Sequence, residues 1–181
     1  MAAAAAISSL LEPASDIIID IPGLLVVPKE RHRGQQQRFT PPRTVVFERT
    51  VRDHARLAMR GRGPFRCAVE AEITVVLPVP RSWRKAYREA ALAGRIMPTR
   101  KPDIDNAIKG AMDALNGVVY QDDRVIVRSR QEKIYGPLPR IILAFRRIPG
   151  VVGSSQLLNR EVELPAAVEP PSRPGSRWFG W

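Results

Sequence analysis

Cysteine occurs once in this chain of 181 residues, as Cys67. A disulfide framework and a cysteine-based zinc site are therefore excluded, and a reducing, cytoplasmic setting is expected. Cys67 itself reads as core filler rather than as a nucleophile. Histidine occurs twice, at His32 and His54, in different segments and with no partner at metal-ligand spacing, so neither reads as a ligand or a base. No stretch approaches the ~20 apolar residues of a membrane span. The alanine run from Ala2 to Ala6 does not read as a secretory signal, because no basic residue precedes it and Glu12 interrupts the apolar residues after it. There is no internal repeat, and the length suits one domain with a sizeable core.

Acidic residues are scarce where the chain is most basic. Residues 1–20 hold Glu12, Asp16 and Asp20 with no Lys or Arg, and residues 151–181 hold three charges of each sign. The middle therefore carries 26 basic residues (29 less 3) and 12 acidic ones (18 less 6), a net +14 against +11 for the whole chain. A basic body suits a polyanion, because Lys and Arg displace the counterions of nucleic acid.

Against that background, five carboxylates fall within residues 101–123, KPDIDNAIKGAMDALNGVVYQDD. Pro102 followed by Asp103 predicts a helix start. From there Ile104, Ala107, Ile108, Ala111 and Leu115 recur at helical spacing, and Asn116-Gly117 predicts the stop. On such a helix Asp105, Lys109 and Asp113 share one ridge, with Asp103 at the first turn. Val118-Val119-Tyr120 reads as a short strand leading to Asp122-Asp123. Two carboxylates at a helix start, joined by a third from the turn, could hold magnesium, which takes oxygen ligands and keeps waters and substrate phosphates. A neighbouring lysine would answer charge on a phosphate undergoing hydrolysis. The same residues also suit a capping aspartate, an i,i+4 ion pair and an acidic turn. Spacing alone leaves both readings open.

The pattern K-P-D-x-D-N-x-x-K, then D-A-L, then D-D, resembles the core motif of the RusA-type Holliday junction resolvases, bacterial and phage endodeoxyribonucleases. The resemblance spans about residues 20–147. It implies that Asp103, Asp105 and Asp123 bind Mg2+ and that Lys109 is needed for cleavage, with Asp122 the neighbour that could exchange places with Asp123. It also implies a homodimer acting on branched DNA. A four-way junction has two-fold symmetry, so two symmetric nicks call for two sites related by the same operator. The competing class is a basic DNA- or RNA-binding protein without catalysis.

The other segments read as support and substrate grip. Residues 17–27 predict a first strand kinked at Pro22-Gly23, followed by a basic loop in which Lys29, Arg31, Arg33 and Arg38 suit phosphate contact. A loosely helical segment comes next over residues 44–60, with Val45, Val51, Ala55, Leu57, Ala58 and Met59 as its apolar positions. Residues 67–79 alternate as a half-exposed strand. Residues 81–94 predict a short helix with Trp83 and Tyr87 packed inward and Arg81, Arg84, Lys85 and Arg88 as a second grip, and Lys101 adds a basic group just before the acidic helix. Residues 124–135 and 140–145 predict two strands joined as a hairpin. The expected fold is α+β: a small mixed β-sheet packed by helices over residues 17–148. Disordered tails are expected over residues 1–16 and 149–181, the latter Pro-rich and ending in Trp178-Phe179-Gly180-Trp181.

Overall fold

The structure is a computed structural model that describes residues 15–27, 41–151, 153 and 154. Four strands form one mixed sheet: β1 (Ile17–Pro22), β2 (Val69–Pro78), β3 (Ile126–Gly136) and β4 (Arg140–Arg147), in the order β1-β4-β2-β3. Strand β4 runs antiparallel to both β1 and β2, and β3 runs parallel to β2. Among the described residues three helices accompany the sheet: α1 (Pro42–Met59), α2 (Lys85–Leu92) and α3 (Ile104–Leu115). The α+β class expected from the sequence is the one observed.

The expected hairpin between the last two strands does not form, because β2 lies between them. Side-chain polarity explains this placement. Val75, Val76 and Leu77 of β2 are consecutive and all buried, so that half of the strand needs cover on both faces and belongs inside the sheet. Residues 127–131 of β3 are all exposed, as suits an edge. The first strand also ends sooner than expected. Gly23 takes a positive φ of 78°, and its N–H donates to the Pro139 carbonyl at 2.8 Å, which turns residues 24–27 out of the ladder. At the opposite end of β4, Arg147 holds Asp16 through Nη2–Oδ1 and Nε–Oδ2 contacts of 3.1 and 3.2 Å.

Helix α1 buries Thr44, Phe47, Val51, Ala55 and Met59. Val45 and Leu57, expected in that stripe, are 50% and 75% exposed. Val45 lies two residues before Phe47 and Leu57 two after Ala55, roughly 200° of helix rotation in each case, so the 47-51-55 repeat decides the face and turns both outward. Helix α3 packs against α1 and buries Ala107, Ile108, Gly110, Ala111, Ala114 and Leu115. Its bounds, Ile104–Leu115, agree with the start predicted at Pro102-Asp103 and the stop at Asn116-Gly117, with Asp103 and Asn116 as the flanking caps.

Gly110 sits under the Phe47 ring, but a methyl group there would stand 3.5 Å from Phe47 Cε1, an ordinary contact. The helix crossing therefore does not require glycine, and Gly110→Ala is expected to stabilise the fold by ~0.5–1 kcal/mol through helix propensity. A lower urea midpoint for the alanine variant would contradict this. Gly136 is different, since a Cβ there would collide with Cγ1 of buried Val76.

Helix α2 reaches the body only at its last turn, where Ala91 is buried. Trp83, just before the helix, packs edge-on against Tyr135 with ring centroids 5.4 Å apart, as expected. Tyr87 does not pack inward: it is 56% exposed, because it lies a turn earlier than the point of contact. Residues 118–120 do not form a strand: Gly117, Val118 and Val119 are a turn, and only Tyr120 makes isolated bridges, to Asn116 and Phe65. Cys67 is half-buried against the core. His54 is tied up locally, its Nδ1 donating to the Thr50 carbonyl at 2.9 Å. Among the described residues no helix is long and apolar enough to cross a membrane.

Candidate active site

Helix α3 starts at the end of a strap, residues 93–102, that arrives from α2. Both helices pack against β3, so the basic and the acidic segment share one edge of the sheet. The Lys101–Pro102 bond is cis, and Asp103 comes next in extended conformation as the residue before the helix. Its carbonyl accepts the first helical bond, from the Ala107 N–H at 2.9 Å.

The Asp103 carboxylate makes no cap hydrogen bond. It is exposed and receives instead a long contact of 3.5 Å from Asn106 Nδ2. The capping role open to Asp103 from spacing is therefore not the one adopted. Asp105 is exposed in the first turn, where the positive end of the helix dipole favours negative charge. Lys109 is exposed one turn further along. An open pocket of about 440 Å³ adjoins Asp103, with Leu25, Val26, Leu77 and Pro102 as apolar walls and Asn106 and Lys101 as polar ones. Asp103 thus borders a concave surface of the kind that binding sites use.

The other acidic element is the turn after α3, fastened by Tyr120. This side chain is fully buried, and its hydroxyl donates to the Met112 carbonyl of α3 at 2.6 Å. Burial, and then the negative charges of Asp123 and Asp113, push the phenol well above its ordinary pKa. The backbone adds two more ties, Phe65 N–H to Val119 O at 2.8 Å and Gln121 N–H to Phe65 O at 3.0 Å.

Within the turn the two aspartates differ. Asp122 Oδ1 accepts the Arg124 N–H at 3.1 Å and pairs with Arg124 Nε at 3.3 Å, so this carboxylate caps the short 3-10 turn Asp123–Val125. Asp123 opens that turn and is exposed. Among the described residues, no group of three Asp, Glu, His or Cys side chains is assembled so as to hold a metal unaided. Asp103 and Asp105 remain a pair of exposed oxygen donors, the first of them without a capping bond. That donor chemistry fits a hard divalent cation, which commonly takes one or two carboxylates and completes its shell with water and phosphate oxygens.

Arg81, Arg84, Lys85 and Arg88 are exposed on and before α2, and Lys101 is exposed on the strap. Lys29, Arg31, Arg33 and Arg38 lie outside the described residues. Arg128 and Arg130, basic positions in the β3 sequence, are exposed on the edge strand. Lys133, on the same strand, turns to the strap instead: its Nζ donates to the carbonyls of Arg100 and Pro102, both at 2.9 Å. Its basic side chain was legible in the sequence, but its use on two main-chain oxygens was not, because that depends on how β3 lies beside the strap.

Two comparisons bear on this arrangement. The chain is similar to "Uncharacterized protein YqaN" of Bacillus subtilis (strain 168), with 38% identity over 82 residues, which is 44% of this chain and 58% of that protein. The matched region thus spans a little over half the length of that relative. The family model for endodeoxyribonuclease RusA matches residues 25–146, a span that contains the acidic helix, its strap, the Asp122-Asp123 turn and all of the sheet except β1 and Arg147. With most of the fold and every acidic residue of the candidate site inside that match, the chain belongs to the RusA endodeoxyribonuclease family.

Proposed function

We propose that this protein is a magnesium-dependent, structure-specific endodeoxyribonuclease that resolves Holliday junctions by paired symmetric nicks in DNA recombination and repair. It would act as a homodimer in the cytoplasm of a bacterium, encoded by the chromosome or a phage. The observation that carries the reading is the Asp103 carboxylate, left without a capping bond at a helix start beside Asp105 within the family match.

Asp103 and Asp105 would hold the cation, with Asp123 as the proposed third oxygen donor. The cation, when bound, supplies neutralising charge at the phosphate and makes water more acidic. The chain's own groups do the rest. Lys109, exposed one turn from Asp105, donates to a non-bridging phosphate oxygen as negative charge builds there. Arg81, Arg84, Lys85, Arg88 and Lys101 hold neighbouring phosphates, joined by Lys29, Arg31, Arg33 and Arg38 from the basic loop. In the reaction a water oxygen bonds to phosphorus, one P–O ester bond breaks, and a proton passes to the departing oxygen.

The test is cleavage of a synthetic four-way junction with a fork and a linear duplex as controls. Junction cleavage is expected to stop in EDTA and to resume with added magnesium. Salt-sensitive binding with no cleavage at any magnesium concentration would reject the nuclease and leave a basic nucleic-acid-binding protein.

A further inference from the structure

The strap that delivers Asp103 to the helix start is held lightly by its own backbone. Among the described residues, no backbone–backbone hydrogen bond reaches residues 96–102. The last main-chain bonds before it are the Gly94 and Arg95 N–H groups donating to Ala91 and Ala90, and the next is the first turn of α3 at the Asp103 carbonyl. Lys133 bridges this gap. It projects from β3 at the position paired with Val75 and places one ammonium group on two carbonyls of the strap, Arg100 O and Pro102 O, each at 2.9 Å. The second of those carbonyls belongs to the peptide unit that continues directly into Asp103.

We infer that Lys133 is a positioning residue for Asp103: it fixes the strap, and through it the carboxylate, without touching DNA or the reacting atoms. The inference rests on the nuclease reading above. An ammonium suits the task because it offers three donors on a compact head and accepts from no one, so it can serve two carbonyls at once. Hydrogen bonds from a charged donor are also stronger than neutral ones. The cost of leaving the strap loose falls on orientation. Asp103 is exposed and lacks a capping bond, so its own side chain does little to hold it in place.

The test pairs Lys133→Met, which keeps the apolar stem, with Lys133→Arg, which keeps charge and donors. Lys133→Met is expected to lower kcat for junction cleavage about 10- to 100-fold, the usual penalty for a displaced catalytic group. Junction affinity measured without metal should stay within about twofold, since a residue outside the DNA interface leaves koff unchanged. The magnesium concentration for half-maximal cleavage should rise, and Lys133→Arg should recover most of the loss. An activity-free readout accompanies these: 15N relaxation on the DNA-free protein. There the order parameters of the Lys101 and Asp103 amides are expected to fall in Lys133→Met from the rigid range near ~0.85 toward the flexible range below ~0.6.

Wild-type kcat and magnesium dependence in Lys133→Met would overturn the inference. So would parallel loss of kcat, junction affinity and melting temperature, which marks a general structural role. If the wild-type protein cleaves nothing, the nuclease reading fails and takes the positioning role with it. In that case the relaxation data alone show whether Lys133 pins the strap.

Discussion

Asp103→Asn is expected to lower junction cleavage by about 10³-fold or more, equivalent to about 4 kcal/mol of transition-state stabilisation, while junction binding is kept or tightened. The substitution is nearly isosteric, so the strap and its Lys133 tie are undisturbed. Because Asp103 makes no cap bond, the helix loses no capping interaction, and the stability cost is limited to the dipole contribution of one charge, about 0.3–1 kcal/mol. Only the charge changes. A carboxylate beside phosphate is repulsive until a cation lies between them, so removing it favours binding while it disables hydrolysis. Asp105→Asn should behave alike in cleavage and in stability, since both carboxylates sit at the helix start where negative charge meets the helix dipole. Gel shifts, junction cleavage and thermal melting on the same preparations separate these effects. Full cleavage by Asp103→Asn would end the assignment.

The second large effect is expected to divide two adjacent residues. Asp123→Asn should cost about 10²- to 10³-fold in cleavage, as the loss of one charged donor from a site that handles phosphate charge. Asp122→Asn should cost about threefold at most, since asparagine is as good a cap as aspartate and can still accept the Arg124 N–H. Asp122→Ala removes the cap altogether and is expected to show in stability, by ~1 kcal/mol, rather than in catalysis. The two carboxylates differ in what occupies them. Asp122 is engaged with Arg124 through both an amide and a guanidinium contact, while Asp123 opens the turn and is exposed. If Asp122→Asn is the inactive variant and Asp123→Asn the active one, the third donor has been placed one residue too far along.

Much of the candidate site was legible in residues 101–123. The helix start at Pro102-Asp103, the buried Ala107-Ile108-Ala111 face and the exposed Asp105 and Lys109 agree with a 3.6-residue repeat that needs no partner to be recognised. That repeat misleads in α1, where Val45 and Leu57 resemble Val51 and Ala55 in polarity and only the packing of Phe47 shows which of them face the core. Local pattern misleads again for the last two strands. Sequence adjacency and a Gly-Pro turn favour a hairpin, whereas burial on both faces of β2 puts that strand between them.

Composition, the basic body and the spacing of the aspartates were determined by the sequence alone, since charge and helical period are local properties of the chain. Which carboxylates serve as caps was decided by tertiary structure. Asp103 and Asp122 are both polar residues at the start of a helical turn, yet the first makes no cap bond and the second does. Asp122 Oδ1 reaches the Arg124 N–H two residues on, whereas the Asp103 carboxylate takes only the long contact from Asn106. A hydrogen bond between Lys133 and Pro102, some thirty positions apart, exists only once the sheet has brought them together, and no reading of local pattern contains it.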